Sequence, residues 1–175
     1  CLAEDKETPS AMRLETERLW PHVWLLAARA TDIANAGDYT TFEIGRESII
    51  IARARDGRLH AHFNVCLHRG NRLCEPGIGH APTFTCRYHA WEWNLDGTLR
   101  CATDAATFPQ GIPPGLRLGP VRCATWGGFI WVSMAADAEP LEDYLGVIPE
   151  HLDPYRLEEY VLTDDVTLEI DCNWK

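Results

Sequence analysis

The 175-residue chain has 46% hydrophobic and 24% charged residues, the balance of a globular domain large enough to bury a core without disulfides. Its formal net charge of −10 argues against nucleic acid or an anionic membrane as a partner. No apolar run reaches membrane-spanning length, and the polar first residues do not resemble a signal peptide, so we expect a cytoplasmic protein, although Cys1 is not a natural start.

The first third of the chain predicts one helix followed by short strands. The helix is predicted over 10–19, with Ser10 as its N-cap and Pro21 as its stop. Asp56-Gly57 is a strong hairpin-turn signal between two of the strands. Residues 23–30 are predicted to be a buried strand or a short apolar segment. The strands predicted after it are 38–44 and 48–54, rich in β-branched and aromatic residues, and 58–65, which alternates.

A second turn of the same kind, at Asp96-Gly97, lies in the other half of the chain. A loop rich in proline and glycine is predicted over 108–115, and short helical turns broken by prolines over 140–160. The predicted strands of this half are 89–94, 98–103, 116–124 and 127–134, with a new strand starting at 165. Short strands with such turns predict an all-β fold, a sandwich or small barrel.

Cysteine and histidine are concentrated in two short segments. Cys66 and His68 follow one predicted strand, and Cys86 and His89 follow a second short strand, "TFT" (83–85). Thiolate and imidazole are good ligands for borderline and soft metals. Each segment supplies one residue of each type, whereas zinc sites usually pair like with like along the chain. The pattern therefore allows two cysteines to hold one iron and two histidines the other, as in a Rieske [2Fe–2S] centre.

The sequence around these residues resembles the N-terminal Rieske domain of Rieske non-heme iron oxygenase large subunits, the ring-hydroxylating family. The resemblance covers roughly residues 12–175 and has one small departure, Ala90, where many members carry glycine. The matching segments are "LETERLW" followed by Trp24, "GDY" (37–39), Gly45, "RDG" (55–57), "FNVCLHRG" (63–70), "CRYHAWEWNLDGTL" (86–99), "GPVRCATWGGFIWVSM" (119–134), "PLEDYLG" (140–146) and "NWK" (173–175).

The resemblance implies a Rieske-type antiparallel β-sandwich with two cluster-binding hairpin loops, a short N-terminal helix and a short C-terminal helical tail. It implies a [2Fe–2S] cluster held by Cys66, His68, Cys86 and His89. It also implies four parts of the chain: a tail and helix over 1–36, the Rieske domain over 37–138, a linking helical segment over 139–164, and the start of a catalytic domain over 165–175.

The family function implied is electron transfer from a ferredoxin or flavin reductase to a mononuclear iron that hydroxylates an aromatic or related organic substrate. That Fe(II) is expected only in the catalytic domain beyond this sequence, since no histidine pair here has the family's spacing, so no catalytic residue is expected in this chain. The implied partner is the catalytic domain of a neighbouring subunit, in a homotrimer or mixed hexamer. An electron is expected to leave through His68 or His89.

Asn71 and Tyr88 stand where the Rieske proteins of cytochrome complexes carry a disulfide-linked cysteine pair, so we expect no such disulfide. The cluster potential is then expected toward the low end of the range of about −150 to +300 mV for Rieske centres.

Two alternative functions remain open, a stand-alone Rieske-type ferredoxin and a structural zinc module.

Trp91 and Trp93 are expected to pack in the core, His60 and His62 to share a polar strand face, and His80 to lie at the surface. The chain has seven cysteines, an odd count that, without a signal peptide, predicts reduced thiols. Four of them are expected to be buried bystanders: Cys74, Cys101, Cys123 and Cys172.

Overall fold

A computed structural model describes residues 13–164 and 166–170, and antiparallel strands organise them. The all-β prediction is confirmed. The strands are β1 (Leu25–Arg29), β2 (Asp38–Ile44), β3 (Glu47–Arg53), β4 (Leu59–Phe63), β5 (Ile78–His80), β6 (Phe84–Thr85), β7 (Glu92–Trp93), β8 (Leu99–Cys101), β9 (Pro120–Trp126) and β10 (Phe129–Ser133).

The strands form two sheets. Seven lie in the order β1-β10-β9-β4-β3-β2-β5, and three lie in the order β6-β7-β8. Both Asp-Gly turns close the predicted hairpins: Gly57 N–H donates to the Ala54 carbonyl at 2.9 Å, and Gly97 N–H donates to the Asn94 carbonyl at 2.9 Å. One ligand segment lies between β4 and β5, in the large sheet's connections, and the other joins β6 to β7 in the small sheet.

Strand β3 is buried on both faces and so divides the interior. Ile50 and Ala52 pack in a core with Trp91 and Trp93, whereas Ile49 packs in a second core with aliphatic residues of β10 and the neighbouring strands. The consecutive isoleucines of this strand reflect that two-sided burial, because a strand covered on both faces needs no polar alternation. The first core also contains both candidate cysteine ligands, so the large sheet supports the site directly.

The N-terminal helical segment differs from its prediction. A π-helix spans Glu15–Leu19, and a 3-10 helix, Trp20–His22, runs through Pro21. Proline is tolerated there because the first positions of a helix have no intrahelical use for its missing N–H. The predicted end of the helix at Leu19 is confirmed, although a separate 3-10 turn carries the chain past Pro21, and the proposed cap Ser10 lies outside the described residues.

The C-terminal segment has the predicted short helical turns. They are α-helices Leu141–Leu145 and Ile148–Leu152, followed by 3-10 helices Asp153–Tyr155 and Leu157–Glu159. Two more 3-10 helices, Ala30–Ile33 and Ala105–Thr107, lie earlier in the chain. The strand predicted from 165 was wrong over 166–170, which carry no strand, and the rest of that segment lies outside the described residues.

Long-range contacts join the segment around β1 to the C-terminal helical segment. The Trp24 indole Nε1 donates to the Glu139 carbonyl at 2.9 Å, and the Arg29 guanidinium donates to the Tyr160 carbonyl at 2.6 Å. Trp24 also packs on Leu141 and Leu145 of the first α-helix. Among the helices of the described residues, none combines the length and apolar character needed to cross a membrane.

Candidate metal centre

Two six-residue loops, 66–71 and 86–91, have the same backbone closure. In the first loop Cys66 N–H donates to the Asn71 carbonyl at 2.8 Å, and Gly70 N–H donates back to the Cys66 carbonyl at 2.9 Å. In the second loop Cys86 donates to Trp91 at 2.8 Å and accepts from Ala90 at 2.9 Å. Each loop is thus a closed turn that starts at its cysteine, and each turn fixes its two candidate ligands relative to one another.

The two thiols are buried and interact with each other. Cys66 is 1% exposed and Cys86 is 2% exposed. Burial raises the pKa of the Cys66 thiol. Burial would also raise the pKa of Cys86, but hydrogen bonds from the backbone N–H groups of Tyr88 and His89 outweigh it and lower that pKa. A buried thiol pair that receives backbone hydrogen bonds is suited to binding a soft metal as thiolates.

The two imidazoles also lie together. The ring centroids of His68 and His89 are 4.6 Å apart, at an interplanar angle of 67°. The Nδ1 atoms of both rings are buried and have no hydrogen-bond partner. A buried nitrogen without a partner is costly unless a ligand occupies it. The donor set, two thiols and two free Nδ1 atoms, therefore fits a cluster bound on one side by sulfur and on the other by nitrogen.

His68 is enclosed by neighbours of its own chain. Its ring stacks on Trp91 with centroids 4.9 Å apart and planes 3° apart, and Phe108 meets it edge-on at 5.9 Å. Its Nε2 lies 3.5 Å from Asp104 Oδ2, and the side chain is only 8% exposed. His89 instead contacts the exposed ring of Tyr88 at 3.8 Å. The two candidate histidines therefore face different surroundings.

Buried Asn64 supports the segment that follows the first loop. Its Oδ1 accepts from the backbone N–H groups of Leu73 and Cys74 at 3.0 and 2.9 Å. Its Nδ2 donates to the Cys74 carbonyl at 2.7 Å and to Ser48 Oγ at 2.9 Å. All the hydrogen-bonding capacity of this amide is used, so Asn64 holds the return of the chain in place.

Sequence reasoning identified the four candidate ligands, which the structure brings together in pairs, but it missed three supporting residues. Asn64 lies inside the quoted motif, and Asn71, which donates to Cys86 Sγ at 3.8 Å, was assigned only a role in excluding a disulfide. Asp104 carries no motif signal, because its contacts with His68 and Trp91 depend on how the loops pack.

The other cysteines follow the predictions in part. Cys74 is buried and Cys123 half-buried, and burial raises their thiol pKa values to about 11 and about 12, which makes them inert. Cys101 is exposed, at the last position of β8, so its predicted burial was wrong. Cys172 lies outside the described residues. The cysteines that the structure describes are free thiols, in agreement with the expected absence of a loop disulfide.

Two of the aromatic predictions are confirmed and one is wrong. Trp91 and Trp93 are 3% and 0% exposed, and His80 lies at the surface, 2.8 Å from Asp38 Oδ1. His62 does not belong to a polar face: it is 4% exposed, with Nε2 3.2 Å from the Leu95 carbonyl. The reason is that β4 is a central strand of the large sheet. The hairpin of β7 and β8, whose connection contains Leu95, covers the face on which His62 lies.

Comparison with known proteins identifies related chains. The family model described as "Rieske [2Fe-2S] domain" matches residues 23–113. A glycine betaine monooxygenase oxygenase subunit of Chromohalobacter salexigens is 34% identical over 95% of this chain and 37% of its own length. The biphenyl 2,3-dioxygenase subunit alpha of Rhodococcus jostii is 34% identical over 92% of this chain and 36% of its own.

Solved structures give the same fold. A quaternary ammonium Rieske monooxygenase in complex with γ-butyrobetaine superposes with a TM-score of 0.80 at 30% identity, over 86% of this chain and 44% of that one. The naphthalene 1,2-dioxygenase of Rhodococcus sp. bound to indole gives 0.78 at 32% identity, over 83% and 34%. The present chain thus spans less than half the length of these relatives.

Proposed function

The chain belongs to the Rieske [2Fe–2S] domain family, and from this membership we propose that it is the electron-transfer domain of a Rieske non-heme iron oxygenase. The observation that carries the proposal is the pairing of donors: two buried thiols on one side, and two imidazoles with unpartnered Nδ1 atoms on the other. When bound there, a [2Fe–2S] cluster supplies reversible one-electron chemistry.

Each of the four ligands has a definite role in this proposal. Cys66 and Cys86 hold one iron as thiolates, and His68 and His89 hold the other through Nδ1. Because Nδ1 is then occupied, each neutral imidazole carries its proton on Nε2. The enclosing core, with Trp91 and the backbone closures of both loops, excludes water from the thiolates and fixes the imidazoles.

The whole protein's activity is proposed from the relatives. They are named as monooxygenases and dioxygenases acting on compounds as different as glycine betaine and biphenyl. We infer an oxidoreductase that hydroxylates an aromatic or related organic substrate at a mononuclear iron beyond this domain. Its electron donor is a ferredoxin or flavin reductase, and its electron acceptor is the catalytic domain of a neighbouring subunit in a homotrimer or mixed hexamer.

The arrangement along the chain and in the cell belongs to the same proposal. The Rieske domain is assigned to 37–138, after an N-terminal part over 1–36. A linking segment over 139–164 leads to the start of the catalytic domain over 165–175. The protein is proposed to act in the cytoplasm without nucleic-acid or membrane partners, consistent with its net charge of −10.

The decisive experiment is the cofactor content of the purified protein. We expect two irons and two inorganic sulfides per chain, visible absorption, and an EPR signal that appears on one-electron reduction. A colourless protein with stoichiometric zinc would overturn the proposal in favour of a structural zinc module. The coding sequence after Lys175 separates the oxygenase from a stand-alone Rieske ferredoxin, because only the oxygenase requires an Asp-x-x-His-x-x-x-x-His pattern downstream.

A further inference from the structure

The carboxylate of Asp104 connects the two ligand loops. Its Oδ1 accepts a hydrogen bond of 2.6 Å from the indole Nε1 of Trp91, the last residue of the second loop. Its Oδ2 lies 3.5 Å from Nε2 of His68, a ligand of the first loop. One side chain thus reaches both loops through its two oxygens, from a position that follows β8.

Among the described residues, the only acceptor recorded near Nε2 of His68 is this carboxylate. Trp91 covers one face of the His68 ring as a parallel stack, Phe108 meets the ring edge-on, and the side chain is 8% exposed. If iron occupies Nδ1, Nε2 carries the proton and needs an acceptor. The acceptor that faces it is Asp104 Oδ2.

The second histidine has no equivalent carboxylate. Within the part of the chain that the structure describes, no acidic side chain lies within 4 Å of a His89 ring nitrogen, and its ring contacts are with His68 and Tyr88. The two candidate imidazole ligands therefore differ in charge environment, because Asp104 of the same chain lies beside His68.

We propose that Asp104 is a positioning residue for His68 that orients its Nε2–H and lowers the reduction potential of the bound cluster by its negative charge. This inference rests on the proposed function. The Asp104 carboxylate accepts the Trp91 indole N–H and lies against His68, so its negative charge is held in a fixed position beside the ligand loops. An electron added beside a fixed anion is disfavoured by Coulomb repulsion. Reduction adds one electron, supplied by the electrode, to the bound cluster. The proton stays on His68 Nε2, and no bond to Asp104 forms or breaks.

The test is a potentiometric titration of the cluster-loaded protein, followed by EPR, for the wild type and Asp104→Asn. The amide keeps the size of the side chain but removes the charge. We expect the ratio of reduced to oxidised cluster at a fixed applied potential to rise about tenfold, which is an upward shift of about 59 mV for one electron. Asp104→Glu, which retains the charge, should restore most of the wild-type potential.

Glu92→Gln is the matched control. It removes one negative charge from the same small sheet, but its carboxylate pairs with Arg100 at 3.4 Å. The control should keep the wild-type potential. Equal shifts in the two variants, or an unchanged potential in Asp104→Asn, would overturn the inference. A lower unfolding midpoint with an unchanged potential would mean that Asp104 is only structural, which also overturns it.

A loss of cluster in Asp104→Asn is covered by a second variant, Trp91→Phe. It removes the indole donor that anchors Oδ1 and leaves an aromatic ring against His68. A smaller upward shift supports the inference, and an unchanged potential overturns it. If the unsubstituted protein carries no [2Fe–2S] EPR signal, the proposed function fails and this inference with it. If the wild type gives a normal signal and the variants keep the wild-type potential, this inference alone is overturned and the proposed function stands.

Discussion

The two ligand loops have the same backbone but different support. Loops 66–71 and 86–91 each close with a hydrogen bond from the cysteine N–H and a return bond to the cysteine carbonyl. The histidine stands two positions after the cysteine in the first loop and three positions after it in the second. The two imidazoles lie 4.6 Å apart, at an interplanar angle of 67°, in spite of this one-residue offset.

The fifth position of each loop adopts the left-handed conformation, with φ of +72° at Gly70 and +55° at Ala90. Glycine enters that region without steric cost, whereas alanine does not. The loops also differ in their supports: Asn64 holds the chain after the first loop, and the Trp91–Asp104 pair holds the second. The two loops thus share one backbone geometry but differ in local strain. The second loop, which holds the left-handed alanine, depends more on its packing contacts.

The largest expected effect tests whether the loops contribute equally to the cluster. Cys66→Ala and Cys86→Ala should each abolish bound iron and visible absorption, because one iron cannot be held by a single thiolate. Iron and sulfide analysis of the purified variants measures this. Cys101→Ala is the control, since Cys101 is exposed at the end of β8, and it should keep full cluster content. Retention of iron in either loop variant would contradict the ligand assignment.

Removal of the Asn64 side chain should destabilise the first loop selectively. Asn64→Ala leaves the buried N–H groups of Leu73 and Cys74 without acceptors, at a cost of about 3 kcal/mol. Urea unfolding and amide hydrogen exchange measure the effect, with faster exchange expected over 66–74 than over 86–91. Asn35→Ala, at an exposed turn, is the control and should change stability by less than about 0.5 kcal/mol. Uniform acceleration in both loops would contradict separate supports.

Mild acid should weaken the contact that joins the two loop-bearing segments. His62, on the strand before the first loop, contacts the Leu95 carbonyl beyond the second loop. Burial lowers the pKa of His62 from 6.5 to about 4. Between these values the unfolded state binds a proton that the folded state does not, so stability falls as pH falls.

The expected loss is about 2 kcal/mol from about pH 7.5 to about pH 5. Urea midpoints at several pH values measure it. His62→Gln removes the titrating group and should flatten this part of the curve, whatever its own stability. The same slope in wild type and variant would show that His62 is not the source.

The smallest effect concerns the left-handed residues. Gly70→Ala should lower the free energy of unfolding by about 1 kcal/mol through backbone conformation alone, because an added Cβ meets no atom within 4 Å. Ala90→Gly should raise it by up to about 1 kcal/mol. Unfolding midpoints of the two cluster-loaded variants give the comparison. Shifts of the same sign would mean that the two loops do not share the strain assigned to them.

Much of this protein follows from local sequence chemistry. The β-branched runs, the two Asp-Gly turns and the proline-broken helical tail have the predicted structures, because alternation, turn conformation and missing N–H groups act within a few residues. The four candidate ligands were also identifiable, since Cys66, His68, Cys86 and His89 stand in a specific order and spacing. The errors lie in 166–170, at Cys101 and at His62, where packing or its absence overrides the local pattern.

The sequence by itself determined most of the strands, both Asp-Gly turns and the candidate donors; it gave no signal for β5. Only the tertiary structure decided that His62 is buried, that Asn64 holds the first loop, and that Asp104 reaches His68, which lies 36 positions away in the chain. The physical reason is range: strand propensity and turn chemistry are local, whereas burial and side-chain partners depend on which strands pair and which faces meet. The different surroundings of the two ligand loops, whose backbones close in the same way, depend on this packing.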